Sequence, residues 1–247
     1  IISVIRQTAG HDNILSFGSV SVVRKVEGFI KRSISTREII EEGEFTLPPL
    51  EMETQAVWID IPAEIRKRME RQGHDMWASL HAANHVLVTV AAIESLCDAG
   101  DLDCEHFATS IEGHARSMRL LLYDRRPGGL GICEKLLEAG SRTLQAAVQV
   151  LQGCHCDATA EDRSSVVVEV EESEEISYGE GCPACLLDPR CSQYNENLAK
   201  SGAILLLQLL KTEMRIRSST SNSNVVTIDG STTIDTHSLQ SVLSPRE

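Results

Sequence analysis

The sequence predicts an α+β fold, in which an N-terminal β-rich segment is followed by a mainly helical domain. Two patterns predict it: valines alternate with small or polar residues near the N-terminus, and apolar residues recur at helical spacing in the longer segments that follow. The chain has 247 residues, of which 42% are hydrophobic, so it can bury a sizeable core. Because only 4% are aromatic, that core must be mostly aliphatic.

The β-rich region is expected to span residues 1–61. The stretch 16–29 alternates valines with small residues and predicts one or two short strands, and the stretch 55–61 predicts another. Pro62 then predicts the start of a helix, because its ring presets φ and its missing N–H would have no partner in a first helical turn. A second helix is expected to begin near His74 or Asp75. Its buried face is predicted to carry Trp77, Leu80, Leu87, Ala91 and Leu96.

The remaining elements complete a predicted domain that spans residues 62–215. The polar stretch 98–105 predicts a loop, 117–123 a buried strand, and 132–151 a single helix that follows a glycine-rich loop. A last helix is predicted over 197–215. The tail 216–247 is rich in Ser, Thr and Asn without an apolar period, and we expect it to be mostly disordered.

The formal net charge of −13 argues against a surface that attracts nucleic acid everywhere. Most of that charge belongs to the segment 157–180, which contains nine acidic residues and one basic residue. Other surfaces can therefore still carry a basic patch. No run of about 18 apolar residues is present, so no membrane association is expected. The chain begins with Ile and has no signal-like opening, and we interpret it as a fragment of a longer protein.

Five of the eight cysteines fall within residues 154–191, as Cys-His-Cys, Cys-Pro-Ala-Cys and a single Cys. Thiolates at such short spacings can face one tetrahedral ion, and Gly181 and Pro183 supply a tight turn. We predict a structural zinc site, with Cys191 as a substitute for Cys154 or a neighbour without a metal role; disulfides, unligated thiols and an iron–sulfur cluster remain alternatives. The predicted ligands are Cys154, Cys156, Cys182 and Cys185.

Three further patterns allow two interpretations each. The PGGLG loop is expected to be a tight turn required by packing, with phosphate contact as the alternative. The pair His81 and His85 shares a helix face but lacks the glutamate of zinc proteases, so we expect polar residues on a packing helix rather than a metal site. A set of basic side chains is consistent with either a solvated face or a DNA contact; these are Arg66, Lys67, Arg68, Arg71, Arg125 and Arg126.

Taken together, these motifs resemble a known family. The order HAANH, LCDAGDLD, LLLYDRRPGGLG, CHC and GCPACLLDPRC is similar to the C-terminal zinc-binding domain of the MrfA-like helicases, which are superfamily 2 DNA-repair enzymes. The resemblance covers about residues 16–210. In that family the two cysteine pairs lie almost adjacent, whereas here the acidic segment 157–180 separates them. We interpret this segment as an exposed insertion or as an intron retained in the gene model.

The resemblance implies that the four cysteines bind a structural zinc ion. It also implies that the chain is an accessory region of an ATP-dependent helicase acting on single-stranded or forked DNA. ATP and Mg²⁺ would then bind only in motor domains outside these residues, because no Walker A sequence or DEAH-like box is present. Such a protein would be nuclear in a eukaryote and cytoplasmic otherwise. The alternative is a non-enzymatic zinc module that docks protein partners.

Overall fold

The structure, a computed structural model, describes residues 2–11, 14–36, 38–109, 117–157, 181–223, 225–228 and 232–235. These residues contain nine strands and five α-helices, so the predicted α+β class is confirmed. Most of the acidic segment 157–180 and the end of the chain from residue 236 lie outside the described residues.

The main sheet has five antiparallel strands in the order β1-β2-β5-β7-β6. It joins strands from before and after position 61 into one layer. Two short hairpins, β3–β4 and β8–β9, lie apart from it. The strands are β1 (Ile2–His11), β2 (Leu15–Arg24), β3 (Gly28–Arg32), β4 (Ile39–Glu44), β5 (Leu50–Ile61), β6 (Leu102–Thr109), β7 (Ser117–Asp124), β8 (Val225–Ile228) and β9 (Thr232–Asp235).

Both faces of the central strands are buried, which explains why β5 and β7 lack polar alternation. On β5, Val57 and Ile59 belong to the large core beneath the helices, while Ala56 and Trp58 belong to a smaller cluster on the opposite face. Side chains of successive strand residues point to opposite faces, so an unbroken apolar run is what a doubly covered strand requires.

Helices α2 and α3 pack against the main sheet, and the other three helices pack against α2. α2 contacts α4, α5 and β6, and α5 also contacts α4 and α1. Within the described residues α2 alone has the length and hydropathy of a membrane-spanning helix, but 78% of its most apolar window is buried inside the protein. The helices are α1 (Ala63–Arg71), α2 (Met76–Ser95), α3 (Ile132–Ala139), α4 (Ser141–Gln152) and α5 (Lys200–Ser223).

The predicted start of α2 is confirmed, but its predicted buried face is wrong at both ends. Asp75 is the N-cap, and its carboxylate accepts a hydrogen bond from the Ala78 N–H at 2.8 Å. Trp77 is 45% exposed and Leu96 is 94% exposed, whereas Leu80, Leu87 and Ala91 are buried as expected. The reason is that α2 is enclosed on nearly all sides, so burial depends on distance from the helix ends rather than on one stripe.

Three other element predictions need correction. The single helix 132–151 is two helices, because Gly140 has φ of 54° and ψ of −123°, which no helix permits. The polar loop 98–105 becomes strand β6 from Leu102, since pairing with β7 outweighs its polar sequence. The last helix extends beyond residue 215 into the predicted disordered tail and ends at Ser223; an Arg217–Glu213 ion pair of 2.9 Å supports the first turn of this extension.

Candidate metal centre

Four cysteine side chains from two separate segments meet beside the core. Cys154 and Cys156 follow the end of α4, and Cys182 and Cys185 lie in the irregular segment 181–199 that precedes α5. All four Sγ atoms lie within 4.8 Å of one another. The structure therefore brings together the four cysteines that the sequence predicted as one group.

The separations between these sulfurs match the edges of a metal-centred tetrahedron. The Sγ–Sγ distances are 3.5 Å for Cys154–Cys182, 3.7 Å for Cys156–Cys185 and 3.8 Å for Cys182–Cys185. A zinc ion with Zn–S bonds of about 2.3 Å places its sulfurs about 3.8 Å apart. A disulfide would require about 2.0 Å. The donor set and its spacing thus fit a tetrahedral thiolate site for zinc.

The turn that presents Cys182 and Cys185 is held by the main chain. The Cys182 carbonyl accepts hydrogen bonds from the N–H groups of Cys185, Leu186 and Leu187 at 2.9–3.1 Å. Gly181, which precedes this turn, has φ of +130°, and a Cβ there would lie 2.7 Å from Leu186. A glycine is required at this position for both reasons, which agrees with the turn chemistry predicted from the sequence.

Burial and mutual contacts perturb the thiols unequally. Burial raises the pKa of Cys185 to about 12. Burial also opposes ionisation of Cys182, but hydrogen bonds from the Ala184 N–H and the neighbouring thiols outweigh it and lower its pKa to about 7. The Lys200 side chain is buried, and its Nζ lies 3.1 Å from the Cys156 Sγ. This ammonium offsets part of the negative charge that clustered thiolates create.

Cys191 does not join the four-cysteine group. Its Sγ lies 3.2 Å from the Nε2 of His81, and with His81 and His85 it forms a separate group. The two histidines are buried on a packing helix, as predicted. Burial lowers the pKa of both, and burial together with these two neighbours lowers the pKa of His106 to about 4.

The glycine-rich loop is organised around a buried carboxylate. Asp124, which is 0% exposed, accepts hydrogen bonds from the backbone N–H groups of Leu130 and, at 3.3 Å, Cys133 at the start of α3. Gly128, Gly129 and Gly131 all have φ between 77° and 88°. A side-chain anion thus occupies the place where a phosphate would bind, which favours the tight-turn interpretation.

The basic residues predicted as DNA contacts lie in two places. On α1, Lys67, Arg68 and Arg71 are exposed and Arg66 is half-buried, while Ile65 and Met69 face the core. Beside the glycine loop, the Arg125 and Arg126 side chains are 37% and 68% exposed; the Arg125 Nε lies 3.8 Å from the Asp103 Oδ2, and the Arg126 Nε lies 3.9 Å from the Asp101 Oδ1. Their DNA contacts stay a prediction.

Sequence reasoning missed two residues that shape these sites. Lys200 is the cation beside the thiols, and Asp124 is the anion within the loop. The signal for Asp124 was present, because an aspartate directly before a glycine turn and a helix is a common cap. Lys200 carried no such signal, since a lysine at a helix start is ordinarily exposed.

Comparison with known proteins agrees with this site. Residues 83–186 match the family model of the MrfA Zn-binding domain, and this range contains all four clustered cysteines. The ATP-dependent helicase hrq1 of Schizosaccharomyces pombe is 25% identical over 224 residues, which are 84% of this chain and 19% of hrq1. The uncharacterized ATP-dependent helicase YprA of Bacillus subtilis is 26% identical over 173 residues, 70% of this chain and 19% of YprA.

A solved structure shares the fold. The crystal structure of the DUF1998 helicase MrfA bound to DNA superposes with a TM-score of 0.54 at 22% identity, covering 87% of this chain and 24% of that one. The chain thus spans about a fifth of the length of the curated relatives it matches. The resemblance inferred from the motifs is confirmed: residues 83–186 of this chain match the model of the MrfA Zn-binding domain, and the chain is similar to a region of the hrq1 and YprA helicases.

Proposed function

We propose that this chain is the C-terminal accessory region of an ATP-dependent DNA helicase involved in repair, and that Cys154, Cys156, Cys182 and Cys185 hold a structural zinc ion in it. The observation that supports this proposal most is the tetrahedral spacing of four sulfurs within a domain of the MrfA Zn-binding family. ATP and Mg²⁺ would act in motor domains outside these residues.

Zinc in this site would act as a cross-link. Four thiolates complete its coordination, so no position remains for water or substrate. The ion would tie the end of α4 to the segment 181–199, which contains no helix or strand in the described structure. Binding energy on the order of 10 kcal/mol is available from thiolate zinc sites, enough to order such a segment.

Metal analysis of the reduced protein tests the zinc site. Cys182→Ser should remove one zinc ion per chain and lower the melting temperature, because it removes a ligand from a closed site. Cys97→Ser is the control, since Cys97 is a partly buried cysteine outside the group. An iron-containing, coloured protein would instead support the iron–sulfur alternative, and unchanged zinc content in the Cys182 variant would refute the assignment.

DNA binding is proposed to involve the exposed guanidinium groups of Arg125 and Arg126. Ion pairs at 3.8–3.9 Å leave both groups open to solvent, and exposed pairs of this kind are weak. Each phosphate contact to a single strand contributes about 0.7 to the slope of log affinity against log salt. The double variant Arg125→Ala/Arg126→Ala should therefore flatten that slope by about 1.4 in an anisotropy titration with a labelled single-stranded or forked oligonucleotide.

Arg142→Ala is a suitable control for this titration, because Arg142 is an exposed arginine on α4 outside the proposed set. Its slope should equal that of the unmodified chain. If the double variant also keeps the original slope, Arg125 and Arg126 do not contact DNA. The α1 residues Arg66, Lys67, Arg68 and Arg71 would be tested next by the same comparison.

A second candidate function is docking of a protein partner. It is favoured by the β3–β4 hairpin, where Ile30, Ile39 and Ile40 are 49%, 54% and 61% exposed. A docking module with a net charge of −13 should ignore the oligonucleotide even at low salt, which separates it from a DNA-binding region.

A further inference from the structure

A second group of metal-binding side chains lies outside the four-cysteine cluster. His81 and His85, one turn apart on α2, and Cys191, from the segment 181–199, present ligand atoms that all lie within 4.8 Å of one another. The two imidazole centroids are 4.6 Å apart. Two imidazoles and a thiolate form a donor set that suits zinc and related divalent ions.

In both histidines a hydrogen bond at Nδ1 leaves Nε2 available to bind a metal ion. His85 Nδ1 lies 2.9 Å from the Leu186 carbonyl oxygen, and His81 Nδ1 lies 3.4 Å from the Asn197 carbonyl oxygen. A carbonyl oxygen can only accept, so each Nδ1 carries the proton and donates it. Each Nε2 therefore has its lone pair available, which is how metal-ligating histidines are commonly oriented.

The spacing of the ligand atoms also agrees with a shared ion. The His81 Nε2 to Cys191 Sγ distance is 3.2 Å. A tetrahedral ion with Zn–N bonds of about 2.0–2.1 Å and a Zn–S bond of about 2.3 Å separates N and S by about 3.5 Å. The observed N–S distance is slightly shorter than the distance expected around an ion, and rotation of the two side chains would accommodate the difference.

The loop that carries Cys191 holds it in place through an unusual backbone. Tyr194, Asn195 and Asn197 have φ of 54°, 59° and 55°, and none of them is glycine. The Asp188 N–H donates to the Asn195 Oδ1 at 2.9 Å, and the Asn195 side-chain amide donates to the Asp188 carbonyl at 3.0 Å. Such backbone conformations persist where the surroundings over-determine them.

The three ligands border a cleft of about 470 Å³. The cleft is also lined by polar side chains that include Asn84, His106 and Asp188. Three protein ligands leave one position of a tetrahedral ion open, and here that position would face the cleft rather than protein. The four-cysteine site offers no such position.

We propose that His81, His85 and Cys191 bind a second divalent metal ion of the zinc class, separate from the four-cysteine site and with one coordination position open to the cleft. Water or a small anion would occupy that position. The helix supplies no glutamate after His81, where Ala82 stands, so no hydrolytic activity is assigned to the ion.

Metal stoichiometry of the whole chain tests this proposal without any mutation. The reduced protein, loaded with zinc and freed of excess metal on a desalting column, should contain two ions per chain by elemental analysis. A content of one ion per chain would overturn the proposal, because the contact between Cys191 and His81 would then be a plain thiol–imidazole hydrogen bond.

Variants assign the second ion to its ligands. Cys191→Ala and His85→Gln should each lower the content from two ions to one, while Cys104→Ala should retain two, because Cys104 lines the same cleft without belonging to the ligand group. In the cobalt-substituted protein, Cys191→Ala should remove one set of visible bands and Cys182→Ser the other. Retention of two ions in Cys191→Ala would refute the assignment, whereas retention of two ions in Cys182→Ser would refute the four-cysteine site instead.

Discussion

Asp124 offers a sharp test of how the glycine loop is built. Its carboxylate is fully buried and accepts hydrogen bonds from the N–H groups of Leu130 and Cys133. The Thr54 hydroxyl binds the main-chain carbonyl of Asp124 at 2.8 Å, so that contact survives substitution of the side chain. The variant Asp124→Ala therefore removes two charge-assisted hydrogen bonds and leaves the buried Cys133 N–H and the partly buried Leu130 N–H without this acceptor.

The expected loss follows from these two bonds. Hydrogen bonds to a charged group contribute about 1.5–3 kcal/mol each, so Asp124→Ala should lower the free energy of unfolding by about 3–6 kcal/mol. Asp124→Asn retains one carbonyl oxygen as an acceptor and should lose about half as much. Because domains of this kind are stable by about 5–15 kcal/mol, the alanine variant should approach the limit of folding.

Urea unfolding at fixed zinc and reductant concentrations measures these differences, since bound metal shifts the apparent stability. Asp75→Ala is the matched control: Asp75 also caps a helix but is exposed, and its loss should be about 1 kcal/mol. An Asp124→Ala loss no larger than that of Asp75→Ala would refute the reasoning. Inorganic phosphate should not stabilise the unmodified chain, because the carboxylate already occupies the loop's donors.

Three further variants test the packing and the metal site. Gly181→Ala should lower both stability and zinc content, because its Cβ would lie 2.7 Å from Leu186. Gly73→Ala is the control: it has open space around it and should lose only about 1–3 kcal/mol of stability through backbone strain. Equal losses of stability in the two variants would contradict this reasoning. Lys200→Met should weaken zinc binding by about 10-fold or more in a chelator competition, since it removes the cation 3.1 Å from the Cys156 Sγ; an unchanged affinity would show that this charge is not needed. Leu207→Ala, fully buried on α5, should cost about 2–5 kcal/mol in urea unfolding, against less than about 0.5 kcal/mol for the 65% exposed Ile93→Ala.

Local sequence features were sufficient to predict several elements. The apolar runs of β5 and β7 were identified because a strand buried on both faces needs no polar positions. The Pro62 and Asp75 signals located the starts of α1 and α2 within a residue or two, because caps and the first turn depend on neighbouring residues only. The short spacing within each cysteine pair likewise indicated a metal-binding turn.

Other elements depended on partners that a local pattern does not contain. Strand β6 has a polar sequence and forms because β7 offers it a full set of backbone hydrogen bonds. The single predicted helix 132–151 was divided at Gly140, where packing of α3 and α4 selects a conformation that glycine permits. The burial of α2 on nearly all sides likewise results from the helices and strands around it.

The sequence by itself determined which thiols are paired along the chain, where the central strands lie and where two helices begin, because these properties act over a few neighbouring residues. Only the tertiary structure decided that Cys191 stays outside the group of four cysteines and instead meets a histidine 110 positions earlier. Contacts across such separations are selected by how α2, α4 and α5 pack around a shared core, and that packing is a property of the whole chain rather than of any one segment.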